Sequence, residues 1–183
     1  MKNYAEMQLE SDRKPPGFIE RYCGYITKMC GKWYGPMLDV GCGDGRYVDH
    51  FRAHYQAVGI DKFSRDHDTY GDAEKEIPYP SHYFSVVHSK SLIEHTQDIE
   101  FVILEMWRVL KPGGMCVMLT PDINAAKFSF WGDIGHVNPF NQSKLAQLFS
   151  FADFKCIECG LFTKWPHGWR KPLRGMLIAT GTK

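Results

Sequence analysis

Met37-Leu38-Asp39-Val40-Gly41-Cys42-Gly43-Asp44-Gly45-Arg46-Tyr47-Val48-Asp49-His50-Phe51 reads as strand, glycine turn and helix in immediate succession. The apolar run Met37 to Val40 is broken by one acid, three glycines fall within residues 41–45, and Val48 and Phe51 begin a helical spacing. A turn without β-carbons lets the backbone leave the strand sharply and come close to a ligand. It also aims the first free N–H groups of the following helix at that ligand. A ligand is therefore expected over the carboxyl end of this strand.

The spacing narrows the ligand. A dinucleotide fingerprint, G-x-G-x-x-G, would need its third glycine at position 46, where this chain has Arg46; the glycines run G-x-G-x-G instead. The next apolar run, Ala57-Val58-Gly59-Ile60, ends on Asp61, placed to accept hydrogen bonds from a ribose diol. Taken alone, these features also fit a bare strand–helix turn followed by an ordinary strand-end acid.

With Leu38-Asp39-Val40-Gly41-Cys42-Gly43-x-Gly45 and Asp61 in place, the sequence resembles the class I S-adenosylmethionine-dependent methyltransferases, and within them a subset that acts on small molecules and glycans. Further segments carry the resemblance. Gly71-Asp72-Ala73 looks like the family's adenine-contacting turn, and Val109-Leu110-Lys111-Pro112-Gly113-Gly114 looks like the segment that enters the fifth strand. Gly135-His136-Val137-Asn138-Pro139-Phe140 ahead of a helix with Leu145, Leu148 and Phe149 is similar to the glycan-type subset. The resemblance implies an α/β fold, a Rossmann-like doubly wound seven-stranded sheet with its last strand antiparallel. It implies S-adenosyl-L-methionine as cofactor and S-adenosyl-L-homocysteine as product. The cofactor contacts it implies are Asp39, Gly41, Cys42, Gly43, Asp61, Lys62, Asp72, Ala73 and Ser89. A buried acid facing the adenine amino group discriminates well, because a wrong base leaves it unpaired.

The chain also departs from the pattern. Only Lys62 to Gly71 separate Asp61 from Asp72, and Arg65-Asp66-His67-Asp68 has no apolar stripe, so the helix between strands 2 and 3 is expected to be shortened to a turn. Ser85 stands where most relatives carry an acid. No [DNS]-P-P-[YFW] follows the fourth strand, Phe84 to Ser89, which counts against methylation of an adenine or glutamine amino group.

At 183 residues the chain fits one domain, 18–183, preceded by a polar arm, 1–17, either a frayed terminus or a lid that brings Tyr4 or Met7 to the substrate. Phe18, Ile19, Tyr22, Cys23, Ile26, Met29 and Cys30 recur at helical spacing. A net charge of +1 builds in no long-range pull toward nucleic acid or anionic membrane. The sequence has no signal-type segment and no run of about eighteen apolar residues, so a cytoplasmic protein is expected. Cys156 and Cys159 form the one C-x-x-C, in a strand-like segment that points the two thiols to opposite faces, so no metal or redox role is expected of them.

Thr96 is read as the cap of the next helix, whose buried face carries Ile99, Val102, Ile103, Met106 and Leu110. Residues 120–139, without clear periodicity, are long for a connection and are expected to form a substrate loop. Methyl transfer from a sulfonium is an in-line displacement that depends mostly on positioning, and an oxygen or nitrogen acceptor profits from a base that titrates near neutrality. His95 after the fourth strand and His136 in the loop are the candidate catalytic residues; each also has a plain structural reading, in a cap or on loop backbone. No carboxylate pair near the fifth strand resembles the divalent-metal site of catechol-type relatives, so no metal is expected. The expected partner is a small-molecule or glycan acceptor, with no nucleic acid and no membrane, in a monomer or homodimer. A catalytically idle cofactor-binding module stays open, as does an RNA or protein methyltransferase using the aromatic and basic stretch 163–172.

Overall fold

The computed structural model describes residues 17–31, 35–63, 69–162 and 175–183. Most of the arm, the centre of the Lys62–Gly71 connection and the stretch 163–172 lie outside the described residues. The elements run α1 Phe18–Cys30, β1 Pro36–Val40, α2 Arg46–Phe51, β2 Gln56–Asp61, β3 Thr69–Tyr70 and β4 Phe84–Lys90. A 3₁₀ turn, Ile93–His95, leads to α3 Ile99–Val109, β5 Leu110–Pro121, α4 Ile123–Ala126 and a second 3₁₀ segment, Lys127–Gly132; α5 Gln142–Phe151, β6 Lys155–Leu161 and β7 Met176–Thr182 complete the order.

One seven-stranded sheet carries the fold, in the order β3-β2-β1-β4-β5-β7-β6. The strands pair in parallel except β7, which is antiparallel to both β5 and β6. The chain builds outward from β1 through β2 to β3 and then returns to the other side of β1 as β4. In open sheets of this kind, the crevice at such a reversal, beyond the carboxyl ends of the strands, is where ligands bind. The glycine turn after β1, Asp61 at the end of β2, and residues 91–95 after β4 all open onto that crevice.

Both faces of the sheet are covered, because successive strand residues point to opposite sides. Leu38, Val40, Val87, Cys116 and Met118 pack with Val102, Ile103 and Met106 of α3 and Leu145 and Phe149 of α5. Met37, Val86, Val117 and Leu119 pack with Phe18, Tyr22 and Ile26 of α1 and with Val48 and Phe51 of α2. The apolar stripe read on α1 is thus the stripe that faces the sheet.

Three local expectations are corrected. Asp98, not Thr96, caps α3: its carboxylate accepts from the Phe101 N–H at 2.9 Å, while the Thr96 hydroxyl donates to the Ile93 carbonyl at 3.0 Å. Lys111–Gly114, which in sequence reads as a stop after the helix ahead of a strand from Met115 to Leu119, is part of β5, which begins at Leu110 and shifts register as it passes Phe84 to Val86. Residues 120–139 are largely structured, because β5 runs on to Pro121 and α4 and the second 3₁₀ segment follow. Asp122 accounts for that ordering: it is buried, and its side chain accepts the Asn124 N–H at the start of α4. All six cysteines are free.

Candidate functional site

The glycine turn is built by its neighbours. Gly41 and Cys42 both donate their N–H to the Ile60 carbonyl, at 2.9 and 3.1 Å, which folds the turn back against the end of β2. Gly41 and Gly43 take left-handed φ values of 76° and 59°, which a β-carbon disfavours. The Asp61 carboxylate then pins the turn: Oδ2 accepts from the Gly43 N–H at 3.0 Å, and Oδ1 accepts from the Phe63 N–H at 2.7 Å.

A buried trio supports this turn from below. Asp39 on β1 lies opposite His88 on β4, and His88 Nδ1 donates to Asp39 Oδ1 at 2.7 Å. The other ring nitrogen, Nε2, shares a hydrogen bond of 2.7 Å with the Tyr22 hydroxyl of α1. Burial raises the pKa of that phenol. Neither His88 nor Tyr22 has a functional reading in the sequence.

On the other side of the crevice, Asp72 Oδ1 accepts the Glu74 N–H at 3.2 Å, shaping the turn that carries Ala73. Lys62 reaches across to Glu74 at 3.0 Å, so the segment after Asp61 is tied to the segment after Asp72. Burial works against ionisation of Glu74, but N–H groups of Gln97 and Asp98 together with Lys62 outweigh it and hold the carboxyl below its usual range.

The third wall comes from β4 and from the stretch before α5. Ser91 is left-handed at φ 56°, an uncommon backbone for a residue with a β-carbon, and its N–H donates to the Leu119 carbonyl at 2.9 Å. The chain then coils through Ile93, Glu94 and His95. Val137 and Asn138 donate N–H groups to the Glu94 carbonyl at 2.8 and 3.1 Å, which brings His136 beside His95 with ring centres 4.7 Å apart. His136 Nδ1 donates to the Phe130 carbonyl at 2.7 Å, and Nε2 lies 3.9 Å from an Asp133 carboxylate oxygen. Burial holds the His95 imidazole below its usual pKa, against a Gly135 backbone hydrogen bond that favours the charged form.

Glu94 carries the least expected chemistry. It is 1% exposed; Oε2 accepts from the Thr120 hydroxyl at 2.9 Å, and Oε1 has no hydrogen-bond partner. Burial pushes its carboxyl up to about 7, only partly offset by hydrogen bonds from its own backbone and Thr120. Its ordinary value is 4.5. The folded chain therefore binds this proton more tightly than the unfolded one, so the group's contribution to stability is full below pH 4.5 and is lost as pH rises through about 7. Glu94→Gln should remove that dependence: in EDTA-containing buffer, the variant should gain about 3 kcal/mol on the wild type in urea unfolding between pH 4 and pH 8. Parallel stability curves would show that the carboxylate is solvated.

These walls enclose one cavity of about 330 Å³, within the size range of small-ligand sites. Asp39, Gly41, Cys42, Gly43, Asp61, Lys62, Asp72, Ala73, His95 and His136 all line it. Ser89 does not: it is buried, and its hydroxyl donates to the Val40 carbonyl at 2.9 Å, so it braces β4 against β1. Lys90, Ser91, Leu92, Glu94 and Thr96 also line the cavity and carry no site reading in the sequence. Glu94 was legible only as the neighbour of His95, since nothing local in the sequence signals its burial.

A family model described as a methyltransferase domain matches residues 12–159. The chain is 30% identical to a probable S-adenosylmethionine-dependent methyltransferase of Mycolicibacterium smegmatis, over 82% of this chain and 66% of that protein. It is 25% identical to a malonyl-[acyl-carrier protein] O-methyltransferase of Salmonella typhimurium, over 52% of this chain and 42% of that protein. The chain thus spans two-thirds or less of the length of these curated relatives. Among solved structures, a SAM-dependent methyltransferase from Archaeoglobus fulgidus superposes with a TM-score of 0.79 at 15% identity, covering 99% of this chain and all of that one, which shows a shared fold.

Proposed function

Since the chain belongs to the family of methyltransferase domains, we propose that it transfers the methyl group of S-adenosyl-L-methionine to an oxygen or nitrogen of a small-molecule or sugar acceptor and releases S-adenosyl-L-homocysteine. One observation carries the reading: a single cavity collects the glycine turn, two acids spaced for ribose and adenine, and two imidazoles. In this reading Asp61 accepts the ribose hydroxyls and the Asp72–Ala73 turn meets the adenine. The backbone of Gly41 to Gly43 runs along the donor, and the sulfonium methyl points toward His95 and His136.

The chemistry asks for little beyond placement. The acceptor's lone pair attacks the methyl carbon in line, the carbon–sulfur bond breaks with its electron pair going to sulfur, and the acceptor's proton must leave. A neutral imidazole can take that proton. Burial holds the His95 imidazole below its usual pKa, toward the neutral form, and the hydrogen bond from His136 Nδ1 to the Phe130 carbonyl leaves Nε2, 3.9 Å from an Asp133 oxygen, as the His136 nitrogen that could exchange a proton. The structural and electrostatic share of catalysis is then the holding of acceptor against methyl with water excluded.

Incubation with methyl-labelled cofactor and separate pools of metabolites, glycans, RNA and protein tests the reading, with label expected in a metabolite or glycan. Label only in RNA or protein would replace the small acceptor by a macromolecule. Tight binding of S-adenosylhomocysteine with no labelled product in any pool would make the chain an idle cofactor-binding module. Once an acceptor is found, His136→Ala should lower kcat by about 100-fold, the lower end for loss of a general base, with S-adenosylhomocysteine affinity unchanged. An equal fall in cofactor affinity would make His136 a structural residue. No helix among the described residues is long and apolar enough to cross a membrane.

A further inference from the structure

We propose that Glu94, His95 and His136 form a binding site for one divalent transition-metal cation, facing the cavity beside the sulfonium position. The sequence offers no catechol-type pair of carboxylates; what the fold brings together is one carboxylate and two imidazoles. Each offers one ligand atom, and these atoms lie within 4.8 Å of one another. Bonds of about 2.1 Å to a common cation need the ligand atoms within about 4.2 Å of each other, a gap that small side-chain rotations close.

Three independent features prepare the site. Glu94 Oε1 is fully buried without a hydrogen-bond partner, while Oε2 is fixed by the Thr120 hydroxyl. A buried carboxylate oxygen left unpaired is costly, and a cation is the partner that compensates it most fully. His136 is oriented as metal-bound histidines are, with one ring nitrogen donating to a backbone carbonyl so that the other presents its lone pair. The two strands of the site are also locked together, because the Glu94 carbonyl accepts the N–H groups of Val137 and Asn138 next to His136. Asp133, with a carboxylate oxygen 3.9 Å from His136 Nε2, adds negative charge nearby.

The donor set selects the ion. Two imidazoles and one carboxylate suit manganese, iron, cobalt, nickel or zinc rather than calcium or magnesium, which prefer all-oxygen surroundings. Three protein ligands leave positions open toward the cavity. Resting on the methyltransferase reading, the inference names the acceptor's chemistry as well: a hydroxyl, or a vicinal pair of hydroxyls, whose oxygen binds the cation. With the imidazole lone pairs on the cation, the histidines act as ligands in place of bases: binding lowers the proton affinity of the acceptor oxygen, its proton passes to solvent, the oxygen–carbon bond forms, and the carbon–sulfur bond breaks with its electron pair going to sulfur.

Titration of EDTA-washed protein with Mn²⁺, followed by loss of the free-ion electron paramagnetic resonance signal, tests the site. Mn²⁺ is the probe because six free thiols would take up zinc elsewhere. One Mn²⁺ per chain is expected. Glu94→Gln and His136→Ala should each weaken binding at least about 10-fold, and His50→Ala, exposed on α2, should leave it unchanged. The two variants remove ligands from different segments, so misfolding of one leaves the other as the test. S-Adenosylhomocysteine is titrated into the same samples. If it binds while Mn²⁺ does not, or if Mn²⁺ binding survives both substitutions, the cation site is overturned and the methyl-transfer reading stands. If Mn²⁺ binds as described and S-adenosylhomocysteine does not, the cation site stands and the methyl-transfer reading falls.

Discussion

Gly43→Val should abolish binding of S-adenosylhomocysteine in calorimetry while the far-ultraviolet circular dichroism stays that of the wild type. The substitution acts twice. Gly43 sits at φ 59°, where a β-branched residue is a true outlier, and holding it there costs on the order of 1–3 kcal/mol. Relief of that strain would pull the Gly43 N–H away from Asp61, which it reaches at 3.0 Å, and so open the turn from the end of β2. If the backbone keeps its course, the isopropyl group instead occupies the space through which the ligand approaches. Gly43→Ala, with one carbon in place of three, should fall between wild type and valine. Wild-type affinity in the valine variant would mean that the ligand does not pass along this backbone.

Asp61→Ala is the second large effect. In the proposed complex its carboxylate holds the ribose, and charge-assisted hydrogen bonds of this kind contribute about 1.5–3 kcal/mol each. Loss of two should weaken S-adenosylhomocysteine by about 100-fold or more. Part of that loss would come from the turn itself, since the same carboxylate accepts the N–H groups of Gly43 and Phe63. Asp61→Asn separates the contributions: the amide keeps an acceptor of similar shape but loses the charge, so it should fall between wild type and alanine. Unchanged affinity in Asp61→Ala would remove the residue from the site.

The parts of the site that the sequence reveals are those written in short, local spacing. Gly41, Gly43 and Gly45 sit within one turn and Asp61 ends the next apolar run, so each follows a short apolar strand, while Asp72, eleven positions after Asp61, is legible through the resemblance of Gly71-Asp72-Ala73 to the family's turn. The doubly wound sheet is what the resemblance carried by these segments implies, and the observed strand order agrees with it. What stayed hidden depends on pairing between distant strands. Asp39 and His88 are 49 positions apart, and Tyr22 and His88 are 66 apart, so their contact exists only once β1, β4 and α1 are assembled. Ser89 shows the same dependence: it lies one residue before the end of β4, near the cavity, and its side chain turns to the Val40 carbonyl of β1.

The cap of α3 shows a nearer limit. Thr96 and Asp98 are both good capping residues, and the choice falls to Asp98 because Thr96 is already engaged with the Ile93 carbonyl and the Glu74 side chain takes the N–H groups of Gln97 and Asp98. Glu94 is the most consequential omission. Its type and position are plain, but the burial that leaves one oxygen unpaired arises from Thr120 and from the stretch around Val137, both far along the chain. His95 and His136 were separately visible as candidates. Their meeting depends on the backbone hydrogen bonds between the Glu94 carbonyl and residues 137 and 138, which no periodicity announces.

The most direct test of the central claim is a crystal structure of the chain with S-adenosylhomocysteine. The account predicts ribose hydroxyls on the Asp61 carboxylate, adenine against Asp72 and Ala73, and the thioether sulfur facing His95 and His136. Electron density for the ligand in any other place, or a cavity that closes on its own side chains in the presence of saturating ligand, would contradict it.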